Sequence, residues 1–216
     1  MTSHNFFSPK HPRAALVVTV AAVALALSGC NTGGGPGATD TTSPAVSQTP
    51  SATPTPTPTA TPAYVPASAS GRAQNVPVPV LPEVAKTETK EGLEAFVAYW
   101  YATLSYAYET GDTQKLGELS GPSCVFCAGL KEGVTAAWSD GRWISGGKIE
   151  TPAVSAEVVS GKPSYATVQV LQEAVEIRKP DGSLYQDPTK ATNTGSRTDA
   201  TFGASGWIMS DLGLIR

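Results

Sequence analysis

GLEAFVAYWYATLSYAYETGDTQKLGELSGPSCVFC, residues 92–127, is the stretch that decides the fold. Leu93, Phe96, Val97, Trp100, Leu104 and Ala107 recur at the spacing of one helical face and predict a helix over residues 88–109. Thr87 or Thr89 caps its start, Glu88 and Glu91 suit its positive end, and Thr110-Gly111-Asp112 ends it. Residues 113–119 read as a short second helix, stopped by Ser120-Gly121-Pro122. A third covers about residues 123–138, with Cys127, Leu130, Val134 and Ala137/Trp138 on one face, and Asp140-Gly141 closes the helical half.

Beyond residue 141 the hydrophobic period changes to that of strands. Residues 142–150 and 153–159 are short, β-rich runs separated by Pro152. Ala166, Val168 and Val170 alternate on even numbers, whereas Val175 and Ile177 alternate on odd ones. That phase change predicts one long strand with a bulge near residues 171–173. Lys179-Pro180-Asp181-Gly182 is a turn into a strand at 183–186, and residues 187–196 read as a polar loop. Residues 198–204 and 206–212 supply the last strands, bent at Ser205-Gly206. Helices first and strands afterwards predict an α+β domain over residues 83–216, with N-terminal helices packed on one face of a curved antiparallel sheet.

The quoted stretch resembles actinobacterial lipoproteins whose C-terminal domain is of unknown function. The order of elements, with the T-G-D break, the C-x-x-C and a terminal Trp207-Ile208-Met209 strand, is similar to the nuclear-transport-factor-2-like or SnoaL-like cone fold. Neither resemblance implies an activity, because function lives in sites and not in folds.

The other end of the chain says where the protein resides. Lys10 and Arg13 precede an apolar run at residues 14–27, which is shorter than the ~20 residues a membrane span needs. A basic flank, a short apolar core and small residues at the exit predict a signal peptide over residues 1–29. Leu27-Ser28-Gly29-Cys30 matches the bacterial lipobox, and the chain here resembles an exported lipoprotein. The resemblance implies that Cys30 takes a diacylglycerol thioether and becomes the first residue of a protein held by lipid at the extracytoplasmic face of the membrane. Losing Lys10 and Arg13 would leave 13 basic residues against 18 acidic ones, which offers no electrostatic footprint for nucleic acid.

Residues 30–82 hold eleven of the 18 prolines, Pro36 to Pro82, among Thr, Ser, Ala and Gly, with Asp40 and Arg72 as the only charges. So few large apolar residues predict a disordered linker biased to polyproline II, reaching at most ~160 Å at ~3.1 Å per residue. The expectation is a stalk that carries the domain away from the membrane.

The chemistry open to the domain is bounded by a missing residue. Both histidines, His4 and His11, precede Cys30. Ser-His-Asp and Cys-His catalysis and His-ligated zinc are therefore excluded beyond it. No catalytic residues, metal ligands or cofactor motif are predicted. With Cys30 taken up by lipid, Cys124 and Cys127 form an even pair in an exported protein, and a structural disulfide is expected. The sharper alternative is a thiol oxidoreductase, but Val125-Phe126 lies between the cysteines and the pair follows helices instead of opening a βαβ unit. Trp100, Tyr101 and Tyr108 are candidate pocket aromatics; core packing for Trp100 and amphipathic cover for the tyrosines is the competing reading. The sequence favours a noncatalytic binding or interaction module, with a small apolar ligand or an envelope protein as partner. The alternative is an enzyme without histidine, built either on Asp and Tyr like an isomerase or on the C-x-x-C.

Overall fold

The first long helix, α1, covers Lys90–Thr110. The Thr89 side chain caps it by accepting from the Gly92 N–H at 3.0 Å. Gly111 ends it in the left-handed region, where a Cβ would meet the Trp138 ring at 2.7 Å. Leu93, Phe96, Val97, Trp100, Leu104 and Ala107 are all buried, as their spacing predicts. Two shorter helices follow, α2 at Gln114–Glu118 and α3 at Val125–Ala137. The computed structural model describes residues 62–159 and 162–215. All of these fall in one compact unit, Thr57–Arg216, which has its own core and so can fold alone. The predicted signal peptide and the lipobox residues Leu27, Ser28, Gly29 and Cys30 lie outside the described residues, as does the spacer as far as residue 61.

The strands are β1 (Trp143–Gly146), β2 (Ile149–Glu157), β3 (Ser164–Gln172), β4 (Val175–Arg178), β5 (Thr192–Gly203) and β6 (Gly206–Leu214). They make a four-stranded antiparallel sheet in the order β2-β3-β5-β6, and β1 pairs with β4 in a separate two-stranded ladder. α1 packs on β2 and β3, and α3 packs on β6. Ala166, Val168 and Val170 of β3, Ala200 of β5, and Trp207, Met209 and Leu212 of β6 meet the helices in one core. The domain is thus a mixed helix and sheet structure with its helices packed against an antiparallel sheet.

Several boundaries differ from the sequence reading. The expected strand at 142–150 is broken where Gly146 and Gly147 both take positive φ, which lets the chain pass from one sheet to the other. Pro152 does not end a strand. It lies inside β2 at a register shift between Glu150 and Ala153, and an edge strand tolerates the missing N–H. The phase change near residue 172 is real, but its cause is a change of sheet and not a bulge. β3 stays in the large sheet, while the chain beyond Glu173-Ala174 crosses to pair with β1. Residues 183–186 contribute only a bridge from Leu184 to Arg178. β5 begins at Thr192, inside the segment read as a loop, because its polar residues pair backbone to backbone with β3.

The expected linker also yields ground. Val65 and Gln74 exchange both backbone hydrogen bonds, at 3.0 and 2.9 Å, and Ser68 pairs with Gly71. This hairpin is tied down by the Trp143 Nε1–H, which donates to the Ser68 carbonyl at 3.0 Å, and by Arg72, which donates to the Gly141 carbonyl at 3.0 Å. Glu83–Lys86 forms a 3-10 turn that buries Ala85. Ordered chain therefore starts at least as early as residue 62, not at 83. A count of apolar residues misses a segment whose backbone groups are satisfied by a hairpin and by side chains of the domain.

Candidate functional site

α1 and the sheet do not close completely on one another. Tyr101, Leu104 and Tyr108 stand on one face of α1, and Phe126 and Leu130, one turn apart on α3, close one side. Val170 and Gln172 of β3, Thr192, Thr194 and Ser196 of β5, and Leu212 and Leu214 of β6 form the floor, with Ile149 at the β2 end. Together they line a cavity of about 230 Å³. A larger hollow of about 350 Å³ lies across β2, β3 and β5, but it is lined mostly by exposed residues such as Ser155, Thr167 and Gln169. The cavity between helix and sheet couples apolar walls to a few convergent polar groups, as ligand sites do.

Its two phenols are neutral groups. Burial pushes both the Tyr101 and Tyr108 hydroxyls up, opposed in part by the Ser196 hydroxyl beside Tyr101 and by Gln172 beside Tyr108. Ser196 itself donates to the Gly213 carbonyl at 3.0 Å. None of the residues lining the cavity is an acid, a lysine, an arginine or a histidine.

The three aromatics singled out in the sequence therefore separate. Tyr101 and Tyr108 line the cavity, whereas Trp100, fully buried, is not among the residues that line it. Its Nε1–H donates to Ser120 Oγ at 3.0 Å, which in turn donates to the Leu116 carbonyl at 2.7 Å. Trp100 and Tyr101 touch edge to face, 5.2 Å between ring centres, so the core indole braces the cavity phenol. Phe126 and Leu130 join the cavity although the sequence predicts only the aromatics of α1 as pocket residues and places Leu130 on the apolar face of the third helix. Their i, i+4 spacing on that helix is the signal that pairs them.

Cys124 and Cys127 are bridged, with Cα atoms 5.3 Å apart, and both are only 2% exposed. Cys124 is also the N-cap of α3, its Sγ accepting from the Cys127 N–H at 3.3 Å. The bridge turns Val125, 81% exposed, toward solvent and places Phe126, 40% exposed, at the edge of the cavity. Among the described residues no group of three His, Cys, Asp or Glu side chains could hold a metal ion, and no helix is long and apolar enough to cross a membrane.

The sequence profile of DUF6318, a family of unknown function, matches residues 62–213. No curated protein matches the chain. Solved structures similar to it include the intermembrane space region of the chloroplast protein ARC6, at 14% identity over 59% of this chain and 96% of that one, with a TM-score of 0.42. A protein from Catenulispora Acidiphila is 14% identical over 57% of this chain and 91% of its own, with a TM-score of 0.40. An uncharacterized protein with a cystatin-like fold from Caulobacter vibrioides is 14% identical over 56% and 89%, with a TM-score of 0.36. These likenesses are loose.

Proposed function

We propose a binding role for this chain, which belongs to DUF6318, a family of unknown function. The protein is an envelope lipoprotein, held by a diacylglycerol on Cys30 at the extracytoplasmic face of the membrane. It presents a cone-like, noncatalytic domain that takes up a small apolar ligand between α1 and the sheet. The observation that carries this reading is the cavity itself: about 230 Å³, walled by Leu104, Leu130, Val170 and Leu212, with no acid or base among its lining residues. Proton transfer needs a group poised to gain or lose a proton, and buried tyrosines with raised pKa are poorly suited to it near neutral pH. The thiol alternative is disfavoured by the burial of both sulfur-bearing residues, since exchange requires access to the attacking or leaving sulfur.

Native mass spectrometry of residues 57–216, purified without detergent from an oxidising compartment and compared with the denatured mass, tests the binding role. Extra mass that disappears on denaturation is expected. A bare native mass that stays bare after incubation with apolar probes would overturn it. The anchor is tested separately: Cys30→Ser moves the full chain from the membrane fraction to the soluble fraction if Cys30 carries the lipid, and leaves it in place if it does not.

A further inference from the structure

We infer that the cavity selects an uncharged amphipathic molecule, whose hydrocarbon body lies against α3 and β6 and whose hydroxyl or carbonyl group meets Tyr108 and Gln172. This rests on the reading of the cavity as a binding site and adds the class of ligand.

The lining is not mixed evenly. Phe126, Leu130, Leu212 and Leu214 gather on the α3 and β6 side. Tyr108 and Gln172 stand on the opposite side with Thr192, which faces Gln172 in the β3–β5 register. The first side is mostly hydrocarbon, broken by Ser196, which faces Leu214 in the β5–β6 register beside the Tyr101 hydroxyl, and the second offers hydrogen bonds next to Ile149. The Gln172 amide can both donate and accept, and the Tyr108 phenol, held neutral by burial, can do the same. A hydroxyl or a carbonyl is satisfied there. A carboxylate or an ammonium group is not, because the lining holds no opposite charge and an ion moved out of water without a partner is strongly disfavoured.

Size narrows the class further. At about 230 Å³ the cavity is below the ~300–1,000 Å³ of pockets for drug-sized molecules, so its ligand is a short chain or a small ring system. The way in is apolar too, since Phe126 and Leu214 at the edge remain 40% and 57% exposed.

The test uses residues 57–216 with N-phenyl-1-naphthylamine as a neutral fluorescent probe, displaced by octanol, octanoate or octylammonium at neutral pH. Three molecules with the same chain then differ in head-group charge. Octanol should displace the probe at a concentration at least about tenfold below that of either ion. Gln172→Leu should weaken octanol about fivefold more than it weakens the probe. Displacement by octanoate or octylammonium as effective as by octanol would overturn the ligand class and leave the binding role standing. Octanol binding unchanged in Gln172→Leu would overturn the placement of the head group. Leu130→Trp fills the cavity from α3, and Thr194→Phe fills it from the strand side should the first variant not fold. If the probe fails to bind, or binds the folded filled variants undiminished, the binding role falls together with this inference.

Discussion

Trp143 donates its indole N–H to the carbonyl of Ser68, 3.0 Å away and 75 positions earlier in the chain. One hydrogen bond thus fastens an Ala- and Ser-rich hairpin to the first strand of the domain. Arg72 adds a second tie through the Gly141 carbonyl and stacks over Trp138 at 5.2 Å, and the Tyr64 hydroxyl adds a third by donating to Glu109 at 2.6 Å.

A chain beginning at Glu83 should therefore be less stable than one beginning at Thr57. Three lost ties at about 1 kcal/mol each lower stability by roughly 2–4 kcal/mol. Trp143→Phe, which removes that bond and trims a buried ring, should cost about 2–3 kcal/mol and lower the thermal midpoint by roughly 4–12 °C. Calorimetry of the three proteins checks both. Equal midpoints for the two chain lengths would show that the hairpin contributes nothing.

Ser120→Ala leaves the buried Trp100 N–H without an acceptor and should cost about 1–3 kcal/mol in urea unfolding. Because Trp100 lies outside the cavity, the variant should bind N-phenyl-1-naphthylamine as the unaltered chain does. A large loss of probe binding in a folded Ser120→Ala protein would place the indole in the site after all.

The disulfide closes a very short loop. In the chain-entropy model its loss costs about 2 kcal/mol, so the double variant Cys124→Ser, Cys127→Ala should fold with a midpoint lowered by roughly 4–8 °C. Serine at position 124 retains an oxygen to cap α3. With both cysteines buried, the native bridge should resist reduction until the domain opens, which a thiol-trapping time course reads directly.

Alkali should destabilise the domain through its tyrosines. Tyr64 is pushed up to about 12 by burial first and by its hydrogen bond to Glu109 second, and burial also raises Tyr101 and Tyr108. A phenol whose pKa is higher folded than unfolded contributes stability that is complete below the unfolded value of 10.0 and is lost as pH rises through the folded one. Unfolding midpoints should fall from about pH 10 upward, and Tyr64→Phe should remove the phenol that titrates near pH 12. Phenolate absorbance measured against pH checks the assignment.

The helical half was legible because its signals are local. The six apolar positions of α1, the Thr89 cap and the Gly111 stop all lie within a few residues of what they control. The sheet was less so, because its errors are long-range. Nothing near Glu173 announces that β4 will pair with β1 instead of continuing β3, and the Thr192–Ser196 end of β5 reads as loop until β3 supplies its partner strand. The site was half visible for the same reason. Tyr101 and Tyr108 share a helix face that the sequence displays, whereas Phe126, Gln172 and Thr194 join them only through tertiary contact.

The most direct test of the central claim is a methyl NMR titration of residues 57–216 with N-phenyl-1-naphthylamine. The binding role predicts saturable shifts at Leu104, Leu130, Ile149, Val170 and Leu212, with Leu93 and Val97 in the sealed core unmoved. Shifts confined to exposed Val78 and Val80, or none at any methyl, would contradict it.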